Sequence, residues 1–206
     1  ERLRAQPGVV AVLTADDVPA ENNIGPLAHD DPILAHGELR YLGQPVFAVI
    51  ATTRDAARRA AALAPQVIQA EALPARLNAL EAHAAGEYVV PPMHLARGDA
   101  AGALARAPLR LQGEWQLGGQ EQFYLEGQIS FAMPQEGGTA LLLHCSTQHP
   151  SEMQQLVAHA LGWGSHRISV QCRRMGGGFG GKESQSAAFA CVASIAALRL
   201  RHPVKL

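Results

Sequence analysis

A chain of 206 residues can bury a sizeable core, as one large domain or two small ones, and its 48% hydrophobic and 17% charged residues are the balance of an ordinary soluble globular protein. Seventeen Lys and Arg against 18 Asp and Glu leave a formal charge of -1 with no basic block, which argues against nucleic acid or an anionic membrane as a partner. Three widely spaced cysteines, Cys145, Cys172 and Cys191, form neither a paired-cysteine metal site nor a disulfide framework, and they fit a reducing cytoplasm. No apolar core follows a basic start, and the longest apolar stretch, residues 187–198, is about half the roughly 20 residues a membrane-spanning helix requires. Residues 1–5 read as the tail of a helix already under way and residues 203–206 as a strand just beginning. The chain is therefore expected to be a piece of a longer protein.

In chain order, Pro7-Gly8 punctuates and residues 9–13 are a short β-branched run, hence a strand. Thr14 with Asp17 three residues later signals a capped helical turn over 15–18. A polar loop passes Asn22 and Asn23, and a second strand is expected over 46–51. Thr52 or Thr53 caps a helix over 55–63 whose Arg54, Arg58 and Arg59 face solvent. Residues 66–71 are expected as a further strand ended by Pro74. This strand–helix–strand order indicates a small α/β or α+β unit over residues 1–83. Ala84-Ala85-Gly86 and Pro91-Pro92 mark a linker over 84–97. Beyond it, Gly98-Asp99 opens an Ala-rich helix, and alternation of Leu109, Leu111, Trp115 and Leu117 with polar residues predicts a half-buried strand over 109–117. Strands over 128–133 and 139–146 flank a turn at Gly137-Gly138. Pro150 starts a helix that Gly162 ends. A strand over 167–172 runs into a glycine-rich loop, and a long helix over 184–201 follows it.

That loop, Arg173-Arg174-Met175-Gly176-Gly177-Gly178-Phe179-Gly180-Gly181-Lys182-Glu183, has two readings. Without Cβ atoms it can press backbone N–H groups against a ligand, but a flexible connection or a tight strand-to-helix turn needs the same residues. Gly181-Lys182 is followed by Glu183 rather than Ser or Thr, so the loop is not a phosphate-binding P-loop. Gly176, Gly178 and Gly181 have a dinucleotide-fingerprint spacing, yet no strand and ribose-binding acid follow. His144, His149 and His159 lack the i, i+4 pairing of a helical zinc site, and no nucleophile-elbow motif occurs.

Three motifs in order, Gly118-Gly119-Gln120-Glu121-Gln122-Phe123-Tyr124-Leu125-Glu126-Gly127, Ser146-Thr147-Gln148-His149-Pro150, and residues 173–183, resemble the molybdenum hydroxylases, and within them the molybdenum-binding large subunits of the bacterial xanthine dehydrogenases. Tyr41-Leu42-Gly43-Gln44-Pro45-Val46 and the Arg/Ala helix resemble the family's a/b hammerhead domain. The resemblance implies an α+β chain: a hammerhead-type domain over 1–83, then the first part of a mixed α/β molybdopterin-binding domain over 98–206.

By the same resemblance Gln148 hydrogen-bonds an oxygen ligand of molybdenum, and the backbone of Phe179 and Gly180 lies against the molybdenum ligands and the dithiolene. Gln148 and Phe179 thus stand behind the metal's ligands without binding it. Glu183 contacts a purine, where related aldehyde oxidases carry an aliphatic residue. An alternative for Glu183 is a helix N-terminal acid facing the dipole. Arg173 and Arg174 are expected to meet solvent or another subunit, and Cys145 and Cys172 are not molybdenum ligands. The implied reaction takes hypoxanthine to xanthine and urate with oxygen from water. Electrons pass to 2Fe-2S clusters, FAD and NAD on a partner subunit, in an assembly with a second copy of the heterodimer. The general base and most pterin contacts are expected beyond Leu206. A related hydroxylase of another N-heterocycle or of an aldehyde, and an inactive assembly scaffold, are the alternatives.

Overall fold

Two sheets carry the chain in a computed structural model that describes residues 1–206. Strand β1 (Val9–Leu13) pairs antiparallel with β2 (Ala48–Ala51), and α1 (Arg54–Ala61) packs on them. The Thr53 side chain caps α1 by accepting the Ala56 N–H, and Ala56 and Ala60, one turn apart, are its buried residues while Arg54, Arg58 and Arg59 stay exposed. Thr14 and Asp17 form the expected capping box around the 3-10 turn Ala15–Asp17.

The larger sheet has the order β5-β4-β3-β6, from β3 (Ser130–Gln135), β4 (Ala140–Cys145), β5 (Ile168–Gln171) and β6 (Val204–Lys205). β3 and β4 form an antiparallel hairpin closed by Gly137 and Gly138, both at positive φ, a conformation glycine adopts without Cβ strain. β4 and β5 are parallel, joined through α5 (Pro150–Leu161). Proline opens α5 where an N–H would lack a partner anyway, and Gly162 ends it in the left-handed region. Helices α5 and α6 (Ala187–Leu200) pack with the sheet around Ala132, Leu141, Leu143, Met153, Val157, Cys191 and Ala193, all within 1% of complete burial. The many alanines of α6 let its backbone approach β3 closely. Leu13, Ile24, Ile33 and Leu34 belong to the same core. An ion pair between Asp17 and Arg199 and the bond from Ala20 N–H to Ala160 C=O (3.2 Å) tie the first segment to α6 and α5.

Residues 1–68 with 120–206 form one compact unit and residues 69–119 a second. The strand expected over 66–71 is absent: Ala64–Val67 is a helical turn, α2, started by Pro65. The strand expected over 109–117 is absent as well. Leu111, Trp115 and Leu117 lie open to solvent, because alternation makes a strand only where a neighbour completes its hydrogen-bond ladder. A short helix, α3 (Ala79–Ala84), lies where none was expected, capped by Asn78, which accepts the N–H groups of Leu80 and Glu81. The Ala-rich helix α4 (Ala100–Arg106) is present, capped by Asp99. Residues 1–5 form turns rather than a helix, and the long final helix begins at Ala187 rather than 184.

Candidate active site

Parallel pairing of β4 with β5, in the register Leu141↔Ile168 to His144↔Gln171, makes both strands end at the same edge of the sheet. The loop after β4 carries Ser146, Thr147 and Gln148, and the loop after β5 is the glycine stretch. Ligand sites in open α/β sheets form at such carboxyl ends of strands.

Gln148 joins the two loops. Its N–H donates to the Lys182 C=O at 2.8 Å. Its side-chain Oε1 accepts two backbone N–H groups, from Gly180 at 3.1 Å and Lys182 at 3.2 Å. Two donors converging on one atom identify it as the amide oxygen. The Nε2 group makes no hydrogen bond within the chain and keeps both hydrogens for a ligand.

Glycines at two positions make this geometry possible. A Cβ on Gly178 would stand 2.5 Å from Gln148 Oε1, so this glycine admits the glutamine rather than a ligand. Gly180 is at φ +86° and a Cβ there would meet nothing within 4 Å, so the backbone borders open space. Between them, Phe179 adopts φ 50° and is 77% exposed, a left-handed conformation that costs a non-glycine residue energy.

Glu183 is exposed and makes no hydrogen bond or ion pair within the chain. It precedes α6 by four positions, and the first turn of α6 holds no acid, so Glu183 is not a dipole-facing helix residue. Arg173 and Arg174 are exposed and line an open cleft of about 610 Å³ together with Glu126, His144, Ser146 and Lys205.

The sequence motifs did not single out the centre of this structure. The Lys182 side chain is fully buried, and its Nζ donates to Glu126 C=O at 2.6 Å, to Ser146 Oγ at 2.8 Å and to Glu126 Oε2 at 3.2 Å. It also sits 4.5 Å from the centre of the Tyr124 ring, within cation–π range. Glu126 Oε2 accepts in addition from Gly176 N–H (2.8 Å) and Ser146 O–H (2.7 Å). The Gly176 amide foremost, then the Ser146 hydroxyl and Lys182, outweigh partial burial and hold the Glu126 carboxyl below its ordinary range. The one signal in the sequence was the place of Lys182, directly between the glycines and Glu183.

Burial pushes the Cys145 and Cys191 thiols up to about 12, so both stay protonated near neutrality. His144 stacks on Phe131 and His149 pairs with Glu152, and no group of three His, Cys, Asp or Glu side chains is arranged to hold a metal ion.

Residues 82–206 match the family described as molybdopterin cofactor-binding domain, and residues 1–71 match the aldehyde oxidase and xanthine dehydrogenase a/b hammerhead domain. A xanthine dehydrogenase of Drosophila subobscura is 40% identical over 200 residues, covering 96% of this chain and 15% of that protein. One from Oryza sativa subsp. japonica is 39% identical over 209 residues, covering 98% and 15%. Aldehyde oxidase 2 of Cavia porcellus is 34% identical over 206 residues, covering 100% and 15%. The crystal structure of quinoline 2-oxidoreductase from Pseudomonas putida 86 superposes with a TM-score of 0.77 at 26% identity, over 99% of this chain and 28% of that one. The chain spans about 15% of the length of the curated relatives it matches. With a hammerhead match in its first third and a molybdopterin-domain match over the rest, the chain belongs to the molybdenum hydroxylases, the family of aldehyde oxidase and xanthine dehydrogenase.

Proposed function

We propose that this chain contributes part of the molybdenum site of a xanthine dehydrogenase, oxidising hypoxanthine and xanthine to urate. The observation that carries the reading is the pinned Gln148 amide, whose free Nε2 lies in the loop pair that also holds the open backbone of Gly180 and the unpaired carboxylate of Glu183. These residues fit a molybdopterin cofactor: a neutral amide donates to an oxygen on the metal without competing as a ligand, and a backbone lacking a Cβ admits the dithiolene closely. When bound, that cofactor supplies the transfer of water-derived oxygen to carbon and takes up the two electrons released. This chain's residues do the positioning. Gln148 donates a hydrogen bond, Phe179 and Gly180 form the wall, and Glu183 hydrogen-bonds the ring nitrogens of a purine.

The proposed division is a hammerhead domain over 1–83, a linker over 84–97 and the first part of the molybdopterin domain over 98–206. The absence of regular structure over residues 85–99 accords with a connector there. A partner subunit with 2Fe-2S, FAD and NAD sites, a second copy of the heterodimer, and a cytoplasmic location complete the proposal. An exposed acid that nothing in the chain neutralises favours a polar N-heterocycle over an aldehyde, since an apolar substrate would leave it unpaired on closure.

Glu183→Val in the full chain is the test. Loss of a hydrogen bond to a charged group is expected to lower kcat/KM for xanthine about 10–100-fold while changing aldehyde turnover little. Equal losses on both substrates would remove Glu183 from substrate recognition.

A further inference from the structure

We infer that Lys182 is a positioning residue: its buried ammonium anchors both ends of the glycine loop and thereby orients the Gln148 amide and presents Glu183. The inference rests on the roles proposed for those two residues. The backbone of Lys182 meets the β4 loop three times, giving its N–H to Gln148 Oε1 and accepting from Gln148 N–H and Thr147 Oγ1. Its side chain leaves toward Glu126 and Ser146, where three acceptors match the three ammonium hydrogens. The same Glu126 carboxylate accepts Gly176 N–H, and Glu126 N–H donates to Gly176 C=O at 3.2 Å. One acid thus holds the loop where it begins, at Gly176, and where it ends, at Lys182.

Packing does not require a charge at this place, because buried ion pairs are often replaced by apolar side chains without loss of stability. An apolar side chain of equal length lacks the directed donors. Without them the residue before Glu183 is held only by its backbone, and the two N–H groups that pin Gln148 are free to separate from it.

Hydrogen–deuterium exchange of the peptide covering residues 176–183, followed by mass spectrometry in the full chain, separates positioning from space-filling. Lys182→Met is expected to speed exchange in that peptide about tenfold or more. The double variant Lys182→Met with Glu126→Gln leaves no unpaired carboxylate; its Tm is expected to return to near wild type while loop exchange stays fast. Ser146→Ala, which removes only a hydroxyl, is expected to speed exchange about threefold, and it decides the matter if the lysine variants do not fold. Wild-type exchange in the double variant, or in Ser146→Ala when it alone is folded, would overturn the inference. Xanthine turnover of the same proteins keeps the two readings apart. A wild-type chain loaded with molybdenum but inactive on xanthine would sink the proposed function and leave the exchange result standing. Turnover with unchanged exchange would do the reverse.

Discussion

Gly178 and Gly180 are separated by one residue and are needed for different reasons. At 178 a side chain has no room, since its first carbon would overlap the Gln148 amide oxygen. At 180 there is room, and the backbone angle is the constraint. Gly178→Ala is therefore expected to displace the Gln148 side chain, at a cost of about 1–3 kcal/mol in stability, and, under the function proposed above, to lower xanthine kcat/KM of the full chain at least about tenfold. Thermal unfolding and steady-state kinetics read the two effects; full activity with a lowered Tm would separate Gln148 from catalysis. Motif resemblance pointed to Gln148, Phe179, Gly180 and Glu183 from the sequence because their neighbours are unusual. It passed over Lys182 and Glu126, whose contact spans 56 residues and joins two types that sequence reasoning places at the surface.

Among the elements, α6 owes its place to small side chains. Ala190, Ala193 and Ala197 are fully buried, so this helix approaches the sheet more closely than leucines would allow. Ala193→Leu is expected to overpack that contact and destabilise the protein by about 1–3 kcal/mol, seen as a Tm lowered by several degrees. An unchanged Tm would mean the interface can yield. Helices α1, α5 and α6 were legible because caps, Pro150, Gly162 and apolar runs agree on one answer. The alternation over 109–117 misled for a physical reason: Leu109, Leu111, Trp115 and Leu117 have the pattern of a half-buried strand, but burial depends on a neighbour that local pattern does not encode. Asn78 with Glu81 was a readable cap for α3, but the six residues it starts bury nothing and are too short a run to show an apolar face.

At the scale of the whole molecule, stability is concentrated in one unit. No residue of 69–119 is buried, whereas residues 1–68 with 120–206 contain the entire core. Brief trypsin treatment of the 206-residue chain is expected to cut first after Arg76, Arg97, Arg106 or Arg110, because a protease requires a stretch of backbone that opens at little cost. Intact-mass analysis of the fragments checks this; first cuts within residues 130–171 would show that the sheet opens more easily than its burial implies.

The parallel pairing of β4 with β5 also sets a time order. Gln148 and Lys182 are 34 residues apart, and nothing in either loop brings them together until α5 has crossed over and β5 has docked. Closing that loop costs entropy that the few hydrogen bonds of the site do not offset by themselves, so the strands and helices must form first. The hairpin of β3 and β4 is local and can close early, while the glycine loop acquires its shape only afterwards. A nascent chain that has emerged as far as Gln148 therefore holds the donor amide but has nothing yet to aim it.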